Sequence, residues 1–154
     1  RMADRVNARH YPMPLPVFAR SKRERELLHN QEPVHNILEL AKDADVTFVG
    51  VGNMGETAPL FVDGFVSRDE MAALTAAGAI GEITSWVYGR DGDLIEGLTN
   101  DLVASAPLAR SPEKPIIAIA AGDAKVDAML GALRGCIVNG LITNELTAER
   151  LLAR

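Results

Sequence analysis

A short apolar run that stops on glycines is the strongest constraint in this chain: Asp45-Val46-Thr47-Phe48-Val49-Gly50-Val51-Gly52-Asn53-Met54-Gly55. The run reads as a buried parallel strand. Its glycines, spaced G-x-G-x-x-G, read as a loop at the carboxyl end where backbone can approach a ligand. Open α/β sheets bind ligands at such strand ends. The glycine spacing fits a dinucleotide fingerprint or some other strand-end ligand loop, and the flanking residues decide between them.

A dinucleotide fingerprint needs its third glycine inside a helix packed on the strand, with the pyrophosphate at that helix's N-terminus. Pro59 follows Gly55 too closely for such a helix to continue. The fingerprint also wants an acid about 20 residues further on, at the end of the next strand. Counting from Gly52 lands instead on Met71-Ala72-Ala73, within a helical pattern. A proline-rich stretch precedes the motif, which should open its domain. Nicotinamide and flavin binding are therefore disfavoured, and no cofactor is expected.

The rest of the chain alternates strand and helix. Met2 and Val6 share a helical face, as at the tail of a longer amphipathic helix; the chain opens as though something precedes it. His10 to Phe18 carries three prolines on alternate positions, which leaves an extended edge strand or a polyproline-like crossing. Ser21 is an N-cap for a helix through Leu27, Leu28 and His29, and Glu32-Pro33 starts a second with Ile37, Leu38, Leu40 and Ala41 on its apolar face. Glu56 to Pro59 continues as loop, and Leu60 to Phe65 is a short apolar excursion. Ser67-Arg68-Asp69-Glu70 is a capping box for a helix through Met71, Leu74 and Ala77, stopped by Gly78.

Gly81 to Tyr88 reads as one strand. Asp91-Gly92 centres a turn, with Leu94-Ile95 returning as a small hairpin. Asn100 to Ala109 reads as a short helix closed by Ser111-Pro112. Pro115 to Ala121 is a buried strand, Lys125 to Leu133 a helix, Ile137 to Ile142 the next strand, and Leu146 to Ala153 the closing helix. Strand–helix–strand–helix at these lengths means βαβ units. The fold class is α/β, with a largely parallel, Rossmann-like sheet and flanking helices, and 154 residues suit one domain.

Composition narrows function by exclusion. The formal charge is −5, and the densest basic run, Arg20 to Arg25, is diluted by glutamate; it is a solvated helix start and no nucleic-acid footprint. The one cysteine, Cys136, sits in a context that looks buried; it rules out an internal disulfide and suits a reducing cytoplasm. No run approaches the ~20 apolar residues of a membrane span. All three histidines lie in the first 35 residues, and His29 and His35 face different sides of a helix, so neither a metal site nor a hydrolytic triad has support.

Two residues remain as candidates for chemistry. Lys125 follows Gly122-Asp123-Ala124 at a helix start, where backbone N–H groups and an ammonium make an anion site. It reads equally as a solvent-exposed lysine, although a cation there opposes the helix dipole. Glu82 opens a strand after Gly78-Ala79-Ile80-Gly81, where a carboxylate can accept hydrogen bonds from hydroxyls. An exposed strand-entry acid is the plainer local reading.

Taken together, several segments resemble the C-terminal effector-binding domain of the SorC family of bacterial sugar-sensing transcriptional regulators. They are Pro14 to Phe18, Asp45 to Gly52, Ala77 to Ile83, Val87 to Gly92, Ile117 to Lys125 and Leu141 to Leu152, in order along nearly the whole chain. The resemblance implies a sheet similar to that of ribose-5-phosphate isomerases, glucosamine-6-phosphate deaminases and CoA-transferase-like proteins. It implies binding of a phosphorylated sugar or sugar alcohol, without turnover, by a cytoplasmic homo-oligomer (dimer or tetramer) that meets DNA through an attached helix-turn-helix outside this chain. By the family's pattern Lys125 would hold the phosphate, Glu82 the sugar hydroxyls, and Gly50, Gly52, Asn53 and Met54 would wall the pocket.

The chain departs from the family in three ways. Glu82 stands where Asp is usual, so the hydroxyl contact would reach one methylene further. Asn144 stands where Asp is usual, which removes a charge there. The family's N-terminal DNA-binding region and first βαβ unit, with its phosphate loop, are outside residues 1–154, so this is expected to be a partial effector domain that binds ligand weakly alone. A sugar-phosphate isomerase or deaminase on the same sheet is the alternative, with Glu82 as its general base.

Overall fold

The strand that ends on glycine, β1 (Thr47–Gly50), lies parallel to β5 (Ile116–Ile119), which lies parallel to β6 (Gly140–Ile142). This is seen in a computed structural model that describes residues 2–108 and 113–154. The strand order is β1-β5-β6, with Val49 opposite Ala118 and Ala118 opposite Leu141. These residues face helix α6 (Val126–Arg134) and share a core with Val126, Ala128 and Met129. The parallel sheet and flanking helices bear out the expected α/β class.

The other face of that sheet is open, which departs from the fully buried strands expected. Phe48, Ile119 and Ile142 are each 51% exposed. Side chains alternate across a strand, so only Val49, Ala118 and their neighbours on the helix side are buried.

After Val51 the chain leaves the parallel sheet. The loop expected over the glycines is instead β2 (Gly52–Asn53), which pairs antiparallel with β3 (Gly81–Ile83), itself antiparallel to β4 (Trp86–Tyr88). The single strand expected from Gly81 to Tyr88 is thus two strands with a tight turn between them. At that turn Thr84 and Ser85 have φ of 49° and 73°. Both central residues at positive φ match the twist of flanking strands, as in type I′ hairpins. The Asp91-Gly92 turn is also present, with Gly89 N–H donating to Asp93 O at 2.9 Å, but its returning strand is only a bridge from Tyr88 to Leu94.

Several helices start at signals legible in the sequence. Ser21 accepts from Glu24 N–H at 3.1 Å and begins α2 (Lys22–His29). Pro33 sits in the first turn of α3 (Glu32–Lys42). Its buried residue is Val34, while Leu40 and Ala41 face solvent, against the predicted apolar face. Ser67 and Glu70 cap each other at the head of α5 (Arg68–Ala76). Pro59 does not end a helix but begins a short one, α4 (Pro59–Val62), because proline in a first turn removes an N–H that has no intrahelical acceptor. At the chain's start, α1 spans Met2–Arg5. The helix expected over Asn100 to Ala109 is a single 3-10 turn, Leu98–Asp101. The predicted stop at Ser111-Pro112 lies outside the described residues.

Two devices fix the antiparallel sheet against the rest. Asn100, 6% exposed, accepts from Val87 N–H at 2.8 Å and donates to Val87 O at 2.7 Å and Ile95 O at 2.8 Å. One amide thus supplies the acceptor for Val87 N–H at the sheet edge and a second donor to Val87 O, which also accepts from Ile95 N–H at 3.0 Å. On the other side, the Gly89–Asp93 turn meets α6 backbone to backbone. A Cβ on Gly92 would stand 2.4 Å from Gly135 Cα and 2.6 Å from Gly131 O, so only glycines permit the approach. Cys136, just beyond, is exposed rather than buried, with Ile137 and Val138 taking the core positions.

Candidate functional site

Three features converge beyond the carboxyl end of β1: the Gly50–Gly52 crossing into the second sheet, the Thr84-Ser85 turn, and the head of α6. They border an open cleft of about 320 Å³ lined by Gly50, Gly52, Glu82, Ser85 and Lys125. Pro59, Leu60, Asp63 and Phe65, from α4 and the turn after it, also line it.

Glu82 is the best-defined group in the cleft. It pairs across the sheet with Gly52, and its Oε2 accepts from Ser85 N–H at 2.8 Å. That bond closes the β3–β4 turn, where two non-glycine residues hold positive φ at a cost of roughly 1–3 kcal/mol each. The carboxylate lies directly over Gly52, where an added Cβ would stand 2.1 Å from Oε1. Burial pushes the Glu82 carboxyl above its ordinary range, while the Ser85 N–H and the Lys125 charge pull it back. A desolvated carboxylate of this kind takes hydrogen-bond donors, such as sugar hydroxyls, favourably. Behind it Tyr88 is buried and donates to Ala128 O at 3.0 Å; burial first, and the Glu82 charge second, push its phenol upward.

Lys125 arrives from the other sheet. The chain leaves β5, turns at Gly122 with φ of 108°, and makes a 3-10 turn (Asp123–Lys125) before α6. The turn is pinned from α7 (Glu145–Leu152), where Thr147, 1% exposed, accepts from Gly122 N–H at 3.0 Å. Asn144 in turn accepts from Thr147 N–H at 2.9 Å, so the neutral amide caps α7 without the usual charge. Asp123 is held by Arg150. Lys125 makes no salt bridge or hydrogen bond to a side chain among the described residues, and its ammonium remains available to an anion.

Of the six residues predicted from sequence, the cleft gathers Gly50, Gly52, Glu82 and Lys125. Asn53 and Met54 do not line it. Asn53 is buried and donates to Thr57 Oγ1 at 3.1 Å, and Met54 packs against the cluster of Leu60, Met71 and Leu74. Alternation along β2 explains the split, since Gly52 faces the cleft and the next residue faces away. The Pro59–Phe65 lining was missed; Pro59 reads as a helix breaker, but nothing local brings that segment to the same cleft as Lys125.

A strand-end cleft lined by a desolvated carboxylate and a lysine has the make-up of a site for a small polar molecule. Residues 1–153 match the family described as "Putative sugar-binding domain", and the chain belongs to that family, the sugar-binding domain of SorC-type regulators. It is 29% identical over 154 residues to the erythritol catabolism regulatory protein EryD of Brucella abortus (strain 2308), across 100% of this chain and 49% of that protein. It is 32% identical over 147 residues to the transcriptional regulator LsrR of Klebsiella pneumoniae, across 92% of this chain and 45% of that one. The chain spans about half the length of the curated relatives it matches. It superposes on the full-length sorbitol operon regulator SorC from Klebsiella pneumoniae with a TM-score of 0.85 at 27% identity, over 97% of this chain and 49% of that one. A transcriptional regulator from Streptococcus pneumoniae TIGR4 shares the fold, with a TM-score of 0.89 at 22% identity, over 99% of this chain and 58% of that one. No helix among the described residues is long and apolar enough to cross a membrane.

Proposed function

We propose that this chain is the effector-sensing part of a bacterial transcriptional regulator and binds a phosphorylated sugar or sugar alcohol without turning it over. The observation that carries the reading is the meeting, in one cleft, of a desolvated acceptor, Glu82, with a cation that has no salt-bridge partner among the described residues, Lys125. Lys125 takes the phosphate as a point charge, with the polar start of α6 behind it. Glu82 accepts hydrogen bonds from hydroxyls, and Gly50 and Gly52 let the ligand lie against backbone. DNA contact belongs to a region outside this chain, in a cytoplasmic homo-oligomer. Ligand acts by binding one subunit arrangement more tightly than another, which shifts the population between DNA-binding states.

A raised carboxyl pKa is also what a general base needs, so an isomerase or deaminase is the competing reading. Glu82 is held by Ser85 N–H, however, as a fixed acceptor in a strained turn. Incubation with pentose and hexosamine phosphates separates the two. The sensor reading predicts a rise in melting temperature with the substrate recovered unchanged. Turnover that disappears in Glu82→Gln would replace it with the enzyme.

A further inference from the structure

Between β5 and Lys125 the chain passes through one loose joint. The β5 ladder ends with Ala120 N–H donating to Ile142 O at 3.2 Å, and Gly122 follows at φ 108° and ψ 152°, a region that glycine alone enters freely. A Cβ added there would meet no described atom within 4 Å, so the glycine is required by conformation rather than by crowding. Two hydrogen bonds hold that conformation. The Gly122 carbonyl accepts from Lys125 N–H at 3.1 Å, within the 3-10 turn, and the Gly122 N–H donates to Thr147 Oγ1 at 3.0 Å. Thr147 is 1% exposed, does not line the cleft, and is itself fixed by Asn144, which accepts from its N–H. Two ion pairs, Arg150 with Asp123 and Arg154 with Asp127, also join the end of the chain to the head of α6, but their side chains are about half exposed.

We propose that Thr147 is a positioning residue for the anion site: its buried hydroxyl locks the Gly122 joint, and so sets where Lys125 stands and how tightly a phosphate group is held. This rests on the reading above that Lys125 takes the phosphate. The Thr147 bond fixes the peptide plane before Gly122, and the Lys125 bond fixes the plane after it. Between them they set both dihedrals of a residue that would otherwise swivel. Without the hydroxyl, Gly122, which is exposed, gives its N–H to water. The fold then loses little, but the arrangement that presents Lys125 becomes one of several. Apparent affinity falls in proportion to the fraction of chains in the competent arrangement. The ion pairs do less, because exposed pairs contribute little in water and are screened by salt.

The test is NMR titration of the chain with inorganic phosphate and with fructose 6-phosphate. It compares parent, Thr147→Val and Thr147→Ser, each alone and with Lys125→Ala, after thermal melting has established that each is folded. Thr147→Val keeps the shape and removes the hydroxyl, and should bind about three- to tenfold more weakly. Thr147→Ser keeps the hydroxyl and should bind as parent does. In the Lys125→Ala background the Thr147→Val loss should vanish, because its effect passes through the ammonium. Asp123→Asn with Arg150→Gln deletes an exposed pair at constant net charge and should stay within about twofold of parent. Four results overturn the inference and leave Lys125 as the phosphate ligand: Thr147→Val binding like parent, Thr147→Ser binding no better than Thr147→Val, a loss that persists without Lys125, or a larger loss from deleting the ion pair. Parent and Lys125→Ala that bind both probes alike, or not at all, overturn the phosphate reading and this inference with it.

Discussion

Replacing Gly52 with alanine separates the folding role of the β1–β2 crossing from its binding role. The new Cβ would stand 2.1 Å from Glu82 Oε1 and 2.9 Å from its Cδ and Cγ. One partner must move, and the Glu82 side chain is the flexible one. It swings off Gly52 and gives up the 2.8 Å bond from Ser85 N–H. A hydrogen bond to a charged group is worth about 1.5–3 kcal/mol. Against that, Gly52 is not at positive φ, so alanine recovers about 0.5–1 kcal/mol of strand stability, and the carboxylate regains water. The net loss is about 1–2 kcal/mol, or a melting temperature lower by a few degrees for a chain of this size. Affinity for a sugar phosphate should fall about tenfold or more, because the acceptor has left its place. Thermal melting and calorimetry on the same preparation read both quantities. A folded variant with parental affinity refutes the placement of Glu82, and a collapse in stability refutes the idea that the side chain yields.

Three further outcomes follow from the same geometry. Folded Glu82 holds its proton more tightly than the ordinary carboxyl at 4.5, so its contribution to stability is lost as pH rises above that value and through the raised folded pKa. Glu82→Gln removes that loss: urea unfolding at pH 7 should find it at least as stable as parent, with the advantage shrinking toward pH 4, while sugar binding drops. Asn100→Ala takes the partner from Val87 N–H in the interior and the amide donor from Ile95 O, while Val87 O keeps its bond from Ile95 N–H, and should cost about 1–3 kcal/mol by the same unfolding measurement. Gly92→Ala combines a φ of 77° with backbone atoms at 2.4 and 2.6 Å that cannot rotate away, and should yield little folded protein by circular dichroism.

The legible parts of this fold were those specified by neighbours in sequence. Pro115 through Ala153 alternates strand and helix periods with glycine and asparagine at the joints, and β5, α6 and α7 follow nearly as written, while the strand expected over Ile137 to Ile142 is only its second half, β6. Ser21 and the Ser67–Glu70 box announce their helices because a cap is a local hydrogen bond. The antiparallel sheet was invisible for the opposite reason. Its first strand is only Gly52–Asn53, two residues that signal a turn more than a strand, and its hairpin turns on Thr84-Ser85 without the usual glycine or asparagine. That turn is held by Glu82 from one position before the turn's flanking residue, a partner that no turn statistic contains. In the cleft, the chemistry of Glu82 and Lys125 could be read from residue type and strand-end position. Their convergence could not, since it depends on β2 carrying the chain from one sheet to the other. Asn53 was misplaced by one step of side-chain alternation, and the Asp63–Phe65 lining by the folding of α4 back over the strand end.

The central claim is that Lys125 holds the phosphate of a carbohydrate whose hydroxyls meet Glu82. Calorimetric titration of a sugar monophosphate and its unphosphorylated parent sugar, into the protein and into Lys125→Ala, tests it most directly. The account predicts clear preference for the phosphorylated form, and a loss of about 10- to 100-fold in the variant that leaves the unphosphorylated sugar unaffected. Equal affinity for the phosphorylated sugar in Lys125→Ala and in the parent protein would contradict it.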